Sequence, residues 1–300
     1  MRRVIIDTDP GTDDALAIMM ALNSPDLSVE GIATVGGNAT LSETTENALR
    51  LMEYLDGPDS AMPIAVGADR PAKGLYTHAY HVHGSDGLGI SLPAPTLKPH
   101  SMNAVEFLRD RIAASAGEIT LIAIGPLTNV AAALDNCPDI AEAVPEIIVM
   151  GGAVGVRGNI TPHAEFNIHE DPWAANAVFE SGVPVTLVGL DVTHQTFMHR
   201  RDSPQWFEGD SKSAQLGNSI LVDRFRELDG EDDFHLHDPL DVAAALEPDV
   251  LTCRAAKVSV VTDGEERGRT IASYGEGSVK VAVGVDVERA VGIVRSVISQ

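Results

Sequence analysis

The sequence is short of cysteine, aromatic residues and positive charge. Its 300 residues include two cysteines and two tryptophans, and 21 basic residues face 44 acidic ones, for a formal net charge of −23. Cys137 and Cys253 lie outside any CxxC motif, which disfavours a disulfide framework and a thiolate zinc site. A strongly acidic surface repels nucleic acid and anionic membranes. We therefore expect a neutral or cationic small-molecule partner and no nucleic acid or membrane, although acidity of this kind also serves solubility alone.

Long apolar runs are missing as well. No uncharged stretch has the length of a transmembrane helix. The first apolar segment is interrupted by Asp7, so no signal peptide is predicted and we expect a cytoplasmic protein. With 44% hydrophobic residues, the chain can nevertheless bury a full core.

Strand-like and helix-like patterns alternate through the first two thirds of the chain, which predicts an α/β fold with a mostly parallel central sheet flanked by helices. The predicted strands are Val4–Ile6, Val29–Thr34, Pro63–Val66, Ile119–Ile124, Glu146–Met150 and Val185–Val188. The predicted helices are Ala15–Ala21, Glu43–Leu55, Asn103–Ala114, Leu127–Leu134 and Pro172–Glu180. The last third is less regular: it predicts helices over Ser213–Leu228, Leu240–Glu247 and Val287–Ile298, and a pair of strands, antiparallel if they are neighbours, over Val258–Val261 and Ser278–Val285.

Four aspartates, Asp7, Asp9, Asp13 and Asp14, crowd the turn after the first predicted strand. Open α/β sheets bind their ligands at such carboxyl ends of strands. Carboxylates this close need a cation, a proton or the positive end of a helix to coexist. Helix capping accounts for one or two of them but not for Asp7 and Asp9. Because calcium and magnesium prefer oxygen ligands, the turn predicts a hard-cation site.

A phosphatase of the haloacid dehalogenase type is an alternative, because it also begins with a strand that ends in Asp-x-Asp. In that class the first acid attacks phosphorus, a role that would fall to Asp7. Pro10 interrupts the expected Asp-Gly-Thr order, and no convincing lysine motif follows.

Several later segments can complete such a site. Asp238 precedes Pro239, which fits the first position of a helix and makes Asp238 a predicted N-cap. A backbone carbonyl at Ile124 can add an oxygen ligand where a strand meets a turn. The long segment Gly67–Pro99 is predicted to form a lid or a pocket wall.

Polar side chains suited to a sugar and to proton transfer are also present. Asn159, Glu165 and Asn167 can hydrogen-bond sugar hydroxyls, although surface polarity alone explains any one of them. The histidines cluster at His78, His81 and His83 and again at His235 and His237, without a recognised zinc spacing. A histidine that titrates near neutral pH suits proton donation in a cleft.

Taken in order, these motifs resemble those of the inosine–uridine nucleoside hydrolases, which split the N-glycosidic bond of nucleosides. The signature Asp-x-Asp-Pro-Gly-x-Asp-Asp is intact from Asp7 to Asp14. The other matching blocks are Val35–Asn38, Gly125–Asn129, Met150–Gly152, Ala164–Asn167, Gly189–Thr193 and His237–Pro239. They cover nearly the whole chain.

The resemblance implies a Rossmann-like single domain over residues 1–300 with a calcium ion at the strand ends. Its ligands would be Asp9, Asp14, the carbonyl of Ile124 and Asp238. The ion would hold the ribose 2′- and 3′-hydroxyls and one water, which Asp9 would deprotonate. Asp13 and Asn38 would bind the hydroxyl side of the ribose. Asn159, Glu165 and Asn167 would grip the 5′ side of the sugar, and Met150 would pack against it. Asn167 is also counted as catalytic.

For the leaving base, the resemblance implies that His237 is the acid and that His83 faces the nucleobase. Trp173 and Trp206 lie outside the base-facing motifs, which favours an inosine–uridine or pyrimidine preference over a purine-specific one. Phe225 and Phe234 are candidates for stacking on the base, and core packing explains either equally well. The family also implies a homotetramer or homodimer. A nucleoside-binding or calcium-binding protein that has lost catalysis is the other alternative.

Overall fold

Nine strands form one sheet in the computed structural model, which describes residues 1–84, 87–202, 206–227, 230 and 232–300. Two further strands, β7 and β8, form a small second sheet. Within the described residues the strands are β1 (Arg2–Thr8), β2 (Leu27–Thr34), β3 (Ile64–Val66), β4 (Ile119–Ala123), β5 (Ile147–Met150), β6 (Val185–Val188), β7 (Phe197–His199), β8 (Asp233–His235), β9 (Leu251–Val260), β10 (Thr270–Tyr274) and β11 (Val279–Val285).

The central sheet has the order β10-β9-β11-β6-β5-β4-β1-β2-β3. Its neighbours pair in parallel except where β9 runs antiparallel to β10 and to β11. The predicted parallel sheet and the antiparallel pair near the C-terminus are therefore confirmed. Because parallel strands share a direction, their carboxyl ends meet at one edge of the sheet.

Both faces of the sheet are covered. In β1, Val4 and Ile6 join one buried apolar cluster and Ile5 joins the other, as the alternation of side chains along a strand requires. One cluster packs beneath α1, α10, α11 and α12, and the other beneath α4, α5 and α8. The helices are α1 (Thr12–Asn23), α2 (Leu41–Asp56), α3 (Tyr80–His83), α4 (Ala104–Ala114), α5 (Thr128–Leu134), α6 (Pro138–Ala143), α7 (Phe166–Glu170), α8 (Pro172–Glu180), α9 (Leu190–Thr193), α10 (Lys212–Glu227), α11 (His237–Leu246) and α12 (Val287–Ile298).

Every element predicted from the sequence is present, with ends that differ by a few residues; the strand expected over Val258–Val261 begins earlier, at Leu251. Leu228, the last residue of one predicted helix, lies outside the described residues. Short elements went unpredicted, namely α3, α6, α7, α9, β7, β8 and β10. Segments of this length show too few periods of hydrophobic alternation to be recognised.

The predicted N-cap at Asp238 is wrong. Helix α11 begins at His237, its N-cap is Leu236, and Asp238 lies in the first turn, where its carboxylate is free of a capping role. Pro239 falls two residues after the helix start. Proline is tolerated there because the first four N–H groups of a helix have no partner within it.

The fold brings the polar motifs to one edge of the sheet. Asp9 follows β1, Asn38 follows β2, Ile124 follows β4, and Met150 ends β5. The small β7–β8 sheet lies beside this edge and leads into α11, which carries His237 and Asp238. Among the helices of the described residues, none has the length and apolarity needed to cross a membrane.

Candidate functional site

Buried aspartates form the floor of the site. Asp14 accepts hydrogen bonds from the Thr8 hydroxyl and from the backbone N–H of Gly11 at 2.9 Å, so it completes a capping box at the start of α1. Asp9 accepts one at Oδ2 from the backbone N–H of Asn38 at 2.6 Å. Its other oxygen, Oδ1, is buried and has no hydrogen-bond partner within the part of the chain that the structure describes. Capping therefore explains Asp14 in part, but leaves an acceptor of Asp9 unused.

Two glycines make room for the Asp9 carboxylate. A Cβ added at Gly37 would lie 2.1 Å from Asp9 Oδ2, and one added at Gly125 would lie 2.6 Å from Oδ1. Both distances are below van der Waals contact. The carboxylate is thus held between the turns that follow β2 and β4.

We predict that Gly37→Ala lowers kcat/KM about 10-fold or more, because the added methyl must displace the Asp9 carboxylate and sub-ångström misplacement of a reacting group is costly. Steady-state rates of ribose release from uridine measure the effect. Gly292→Ala is the matched control, since its Cβ meets nothing within 4 Å. A Gly37→Ala enzyme as active as the Gly292→Ala enzyme would contradict this reading of the site.

A candidate cation site lies beside Asp9. Carboxylate oxygens of Asp13, Asp14 and Asp238 come within 4.8 Å of one another. Burial raises the pKa of Asp13 to about 7, helped by the nearby Asp14, and burial likewise raises the pKa values of Asp9, Asp14 and Asp238. Charges of one sign at this spacing need a compensating cation, and hard cations take oxygen ligands. The donor set and the unpartnered Asp9 Oδ1 both fit such an ion.

Asn167 connects the turn after β4 to the end of β5. Its Nδ2 donates to the carbonyl of Ile124 at 3.0 Å and to the carbonyl of Met150 at 3.3 Å. The Met150 sulfur also lies 3.5 Å from the same nitrogen. The amide oxygen of Asn167 is thereby turned away from these backbone acceptors, and the Ile124 carbonyl keeps a second lone pair.

Glu165 is held by backbone N–H groups. Its two carboxylate oxygens accept from Asn167, Ile168 and Gly152 at 2.9 to 3.1 Å, and it is the N-cap of α7. Asn159 Oδ1 accepts from the backbone N–H of Phe166 at 2.9 Å, which fixes the amide and leaves its NH₂ group to donate. The cluster predicted to grip a sugar is therefore pre-oriented.

One cavity collects almost all of the predicted residues. Asp9 and Asp14 lie beneath its floor, and the others line it: Asp13, Asn38, His83, Ile124, Met150, Asn159, Glu165, Asn167, His237 and Asp238. Ala79 to His83 form one wall, which confirms that the segment Gly67–Pro99 contributes to the pocket. Phe225 and Phe234 also line the cavity, while the Phe225 ring stacks on Trp206 at 5.5 Å, so Phe225 serves both core and pocket.

Sequence reasoning missed several lining residues, among them Thr12, Ile160, Phe166, Arg224 and Asp233. Arg224 lies on α10, where no sequence motif distinguishes the residues that line the pocket from the others. Ile160 and Phe166 adjoin Asn159 and Glu165, and their proximity in sequence was the available signal.

The two cavity histidines, His83 and His237, are neutral at pH 7, contrary to the expectation of a group titrating near neutral pH. Burial lowers the pKa of His237 to about 3, and burial lowers that of His83 to about 3. A neutral imidazole still donates a hydrogen bond from its protonated nitrogen. His83 Nδ1 accepts from the backbone N–H of Thr12 at 3.2 Å, which leaves the proton on Nε2.

His237 is fixed by a threonine and by two other imidazoles. Its Nδ1 lies 2.8 Å from the Thr193 hydroxyl oxygen. The rings of His194 and His235 pack against it with centroids 5.7 and 5.6 Å away. Thr193 is fully buried at the end of α9. Since Nδ1 is engaged, Nε2 is the ring nitrogen available to the cavity.

Asp7 does not fit the phosphatase role. It is fully buried, and its Oδ2 accepts from Asn129 Nδ2 at 2.8 Å, which ties its carboxylate to α5 rather than to the close carboxylates of Asp13, Asp14 and Asp238. Burial raises its pKa to about 7. This contact with Asn129 gives Asp7 a structural role and lends no support to the haloacid dehalogenase alternative.

Asp241 is a buried acid that the sequence analysis overlooked. It is fully buried one turn after Asp238, and neither of its carboxylate oxygens has a hydrogen-bond partner among the described residues. Burial, with a smaller effect from Glu165, raises its pKa well above the ordinary value. The folded protein therefore binds a proton at Asp241 more tightly than the unfolded chain does.

We predict that Asp241→Asn makes stability less dependent on pH. Because the folded pKa is raised, wild-type stability falls as pH rises above the unfolded pKa of 3.8, by up to about 1.4 kcal/mol per pH unit for one proton. The asparagine variant lacks this loss, so its unfolding free energy relative to wild type should increase from pH 5 to pH 7 in urea titrations. Parallel pH profiles for the two proteins would contradict an uncompensated acid at this position.

Comparison with known proteins gives a consistent result. A sequence model of the family described as inosine-uridine preferring nucleoside hydrolase matches residues 4–292. The chain is 42% identical over 279 residues to a probable uridine nucleosidase 2 from Oryza sativa subsp. japonica, covering 91% of this chain and 82% of the rice protein. It is 40% identical over 284 residues to a pyrimidine-specific ribonucleoside hydrolase from Salmonella paratyphi C, covering 90% and 88%.

Solved structures agree with these sequences. A plant nucleoside hydrolase superposes with a TM-score of 0.93 at 36% identity, covering 99% of both chains. A purine-preferring ribonucleoside hydrolase from Gardnerella vaginalis superposes with a TM-score of 0.91 at 32% identity, covering 99% of this chain and 98% of the other. The similarity thus extends over the whole fold.

Proposed function

Because the chain belongs to the inosine-uridine preferring nucleoside hydrolase family, we propose that it hydrolyses ribonucleosides to ribose and free nucleobase, with Asp9 as the base and His237 as the leaving-group donor. One observation carries the proposal. The carboxyl ends of the parallel strands bring an acidic cluster and a set of fixed amides to one cavity, and α3 and α11 add the imidazoles of His83 and His237. These are the groups needed to hold a polar sugar and a flat base in one site.

We propose that Asp9, Asp14, Asp238 and the Ile124 carbonyl hold a calcium ion. The unpartnered Asp9 Oδ1 and the close carboxylates of Asp14 and Asp238 support this assignment. When bound, calcium supplies the positive charge that keeps these acids ionised, and it orients the ribose diol and acidifies a water. The three carboxylates whose oxygens lie within 4.8 Å of one another include Asp13 rather than Asp9. We nevertheless assign Asp13, together with Asn38, to the 2′- and 3′-hydroxyls, as the family motif implies.

The residues around the ribose support cleavage toward a sugar cation. Asp9 accepts the proton of the attacking water and keeps its orientation through Asn38 N–H and the space left by Gly37. The N-glycosidic bond breaks with its electron pair leaving on the base, so positive charge develops on the sugar. Glu165 and the oriented amide of Asn167 stabilise that charge, Asn159 grips the 5′ side, and Met150 packs against the ring.

In the same cavity, we assign His237 and His83 to contacts with the nucleobase. Both are neutral and act as N–H donors rather than as cations, as a neutral histidine does where it polarises a carbonyl. We propose an inosine–uridine or pyrimidine preference. Relatives named for uridine and pyrimidine hydrolysis support this choice, as does the burial of Trp206 behind Phe225 rather than against the base.

A substrate survey tests the function. The purified protein is incubated with inosine, adenosine, guanosine, uridine and cytidine, and ribose is detected as reducing sugar. We expect release from uridine and inosine, and suppression of release by EDTA that added calcium restores. Nucleoside binding without ribose release would favour the catalytically silent alternative. Light scattering tests the expected homotetramer or homodimer, and fractionation of the source cells tests the expected cytoplasmic location.

A further inference from the structure

The hydrogen bond between Thr193 and His237 points to a residue that the proposed reaction leaves unassigned. We infer that Thr193 is a positioning residue whose hydroxyl donates to His237 Nδ1, which fixes the proton of the imidazole on Nε2 and directs that N–H at the departing base. The inference rests on the proposed function. It assigns to Thr193 a specific task, the choice of one tautomer of His237.

The geometry that supports the inference is local and buried. Thr193 Oγ1 and His237 Nδ1 are 2.8 Å apart although the two residues are 44 positions apart in the chain. Thr193 is fully buried, so water does not compete for this contact. Backbone contacts hold the segment after Thr193 against the segment before His237. Leu236 N–H donates to the Thr196 carbonyl at 2.9 Å, and β7 pairs with β8.

The direction of the hydrogen bond follows from the chemistry of departure. A hydroxyl can donate or accept, and a neutral imidazole carries one donor and one acceptor nitrogen. If Nδ1 held the proton, Nε2 would face the cavity as a lone pair and would repel the electron pair that moves onto the base. If Thr193 donates to Nδ1, Nε2 carries an N–H that stabilises the leaving base through its nitrogen or carbonyl acceptors.

The second base-facing imidazole provides an independent parallel. His83 Nδ1 accepts from the backbone N–H of Thr12 at 3.2 Å, and that direction is unambiguous because an amide N–H only donates. The cavity therefore presents His83 as an Nε2–H donor. With Thr193 donating, His237 likewise presents an Nε2–H donor to the cavity. Two such donors suit a base that offers carbonyl or ring-nitrogen acceptors, such as uracil or hypoxanthine.

Neighbouring rings restrict His237 without choosing its tautomer. The rings of His194 and His235 pack against it, and Asp233 and His199 share a hydrogen bond on the adjoining strands. Asp191, which acts on the pKa of His194, accepts from the backbone N–H groups of Val154 and Gly155. These groups limit rotation of the cluster, whereas the polar contact at Nδ1 is made by Thr193.

The experiment compares Thr193→Val with Thr193→Ser on two substrates. Valine keeps the shape and removes the hydroxyl, whereas serine keeps the donor. We expect Thr193→Val to lower kcat/KM for uridine about 10²-fold, in the range of a lost proton donor, and to change the rate on p-nitrophenyl riboside by about 3-fold or less, because nitrophenolate leaves without assistance. Thr193→Ser should restore most of the uridine rate.

Two controls separate positioning from a structural effect. Thr196→Val removes a neighbouring buried hydroxyl that bonds only the Thr193 carbonyl, and it should leave the ratio of the two rates at the wild-type value. Adding Thr193→Val to His237→Ala should cost nothing further on uridine, because the two residues act as one unit. Three results would each overturn the inference. Thr193→Val could lose rate equally on both substrates, it could lose none, or it could add its full loss to that of His237→Ala in the double variant. A wild-type protein that releases no ribose from any nucleoside would instead overturn the proposed function.

Discussion

The Asp9→Asn variant is expected to lose about 10³-fold in kcat or more while keeping its fold, because it lacks the general base of the reaction. The amide oxygen of asparagine can still accept from the Asn38 N–H that now binds Asp9 Oδ2. Asp9 is also buried close to Asp14, and burial together with that repulsion raises its pKa in the protein. Removing its charge therefore removes a repulsion that destabilises the ion-free protein. We expect the variant to have a melting temperature at or above that of wild type. Ribose release from uridine and thermal unfolding without calcium measure the two effects.

Asp59→Asn provides the matched control, since it makes the same chemical change at an exposed position. It should retain wild-type kcat and melting temperature. If Asp9→Asn retained turnover within about 10-fold of this control, Asp9 would not be the base. If it lost activity together with a large drop in melting temperature, the loss would reflect unfolding and the role of Asp9 as a base would lose its support.

The sequence was sufficient to place most of the site because the fold class determines where strand ends lie. Four site residues end or follow strands that the sequence pattern predicts, and parallel strands bring their carboxyl ends to one edge of the sheet. These residues are Asp9, Asn38, Ile124 and Met150. The motif order then supplied Glu165 and Asn167. These residues needed no knowledge of side-chain contacts, only the direction of the strands.

What the sequence did not reveal depends on contacts between distant, weakly patterned segments. The pairing of β7 with β8 brings Thr193 to His237, and each of those strands has only three residues, too few to show a period. The start of α11 was misplaced because proline is favoured at the first helical position, yet it is also tolerated two residues later. The pKa values of the histidines depend on burial, which no local pattern reports.

In the proposed reaction the acids and the imidazoles serve opposite changes of charge. The acids would stabilise the positive charge that develops on the sugar, and the neutral N–H donors would stabilise the negative charge that develops on the leaving base. Burying aspartates that repel one another destabilises the ion-free protein. Its melting temperature should therefore respond strongly to cation binding.

Calcium is therefore expected to raise the melting temperature of the wild-type protein by about 5 °C or more at saturation, since an ion that binds only the folded state stabilises it. Protons compete for the ligand oxygens, because burial raises the pKa values of Asp9, Asp14 and Asp238. Burial also raises the pKa of the adjacent Asp13 to about 7, so at pH 6 this group is mostly protonated and at pH 8 its negative charge adds to the attraction for the ion. The calcium-induced shift should accordingly be larger at pH 8 than at pH 6, and without calcium stability should fall as pH rises through 7.

Asp238→Asn should lose most of the calcium-induced shift in melting temperature, whereas Asp263→Asn, at an exposed position, should keep it. Two results would show that these carboxylates do not form the cation site. One is a wild-type melting temperature that calcium leaves unchanged at both pH values. The other is a calcium-induced shift in Asp238→Asn as large as that in Asp263→Asn.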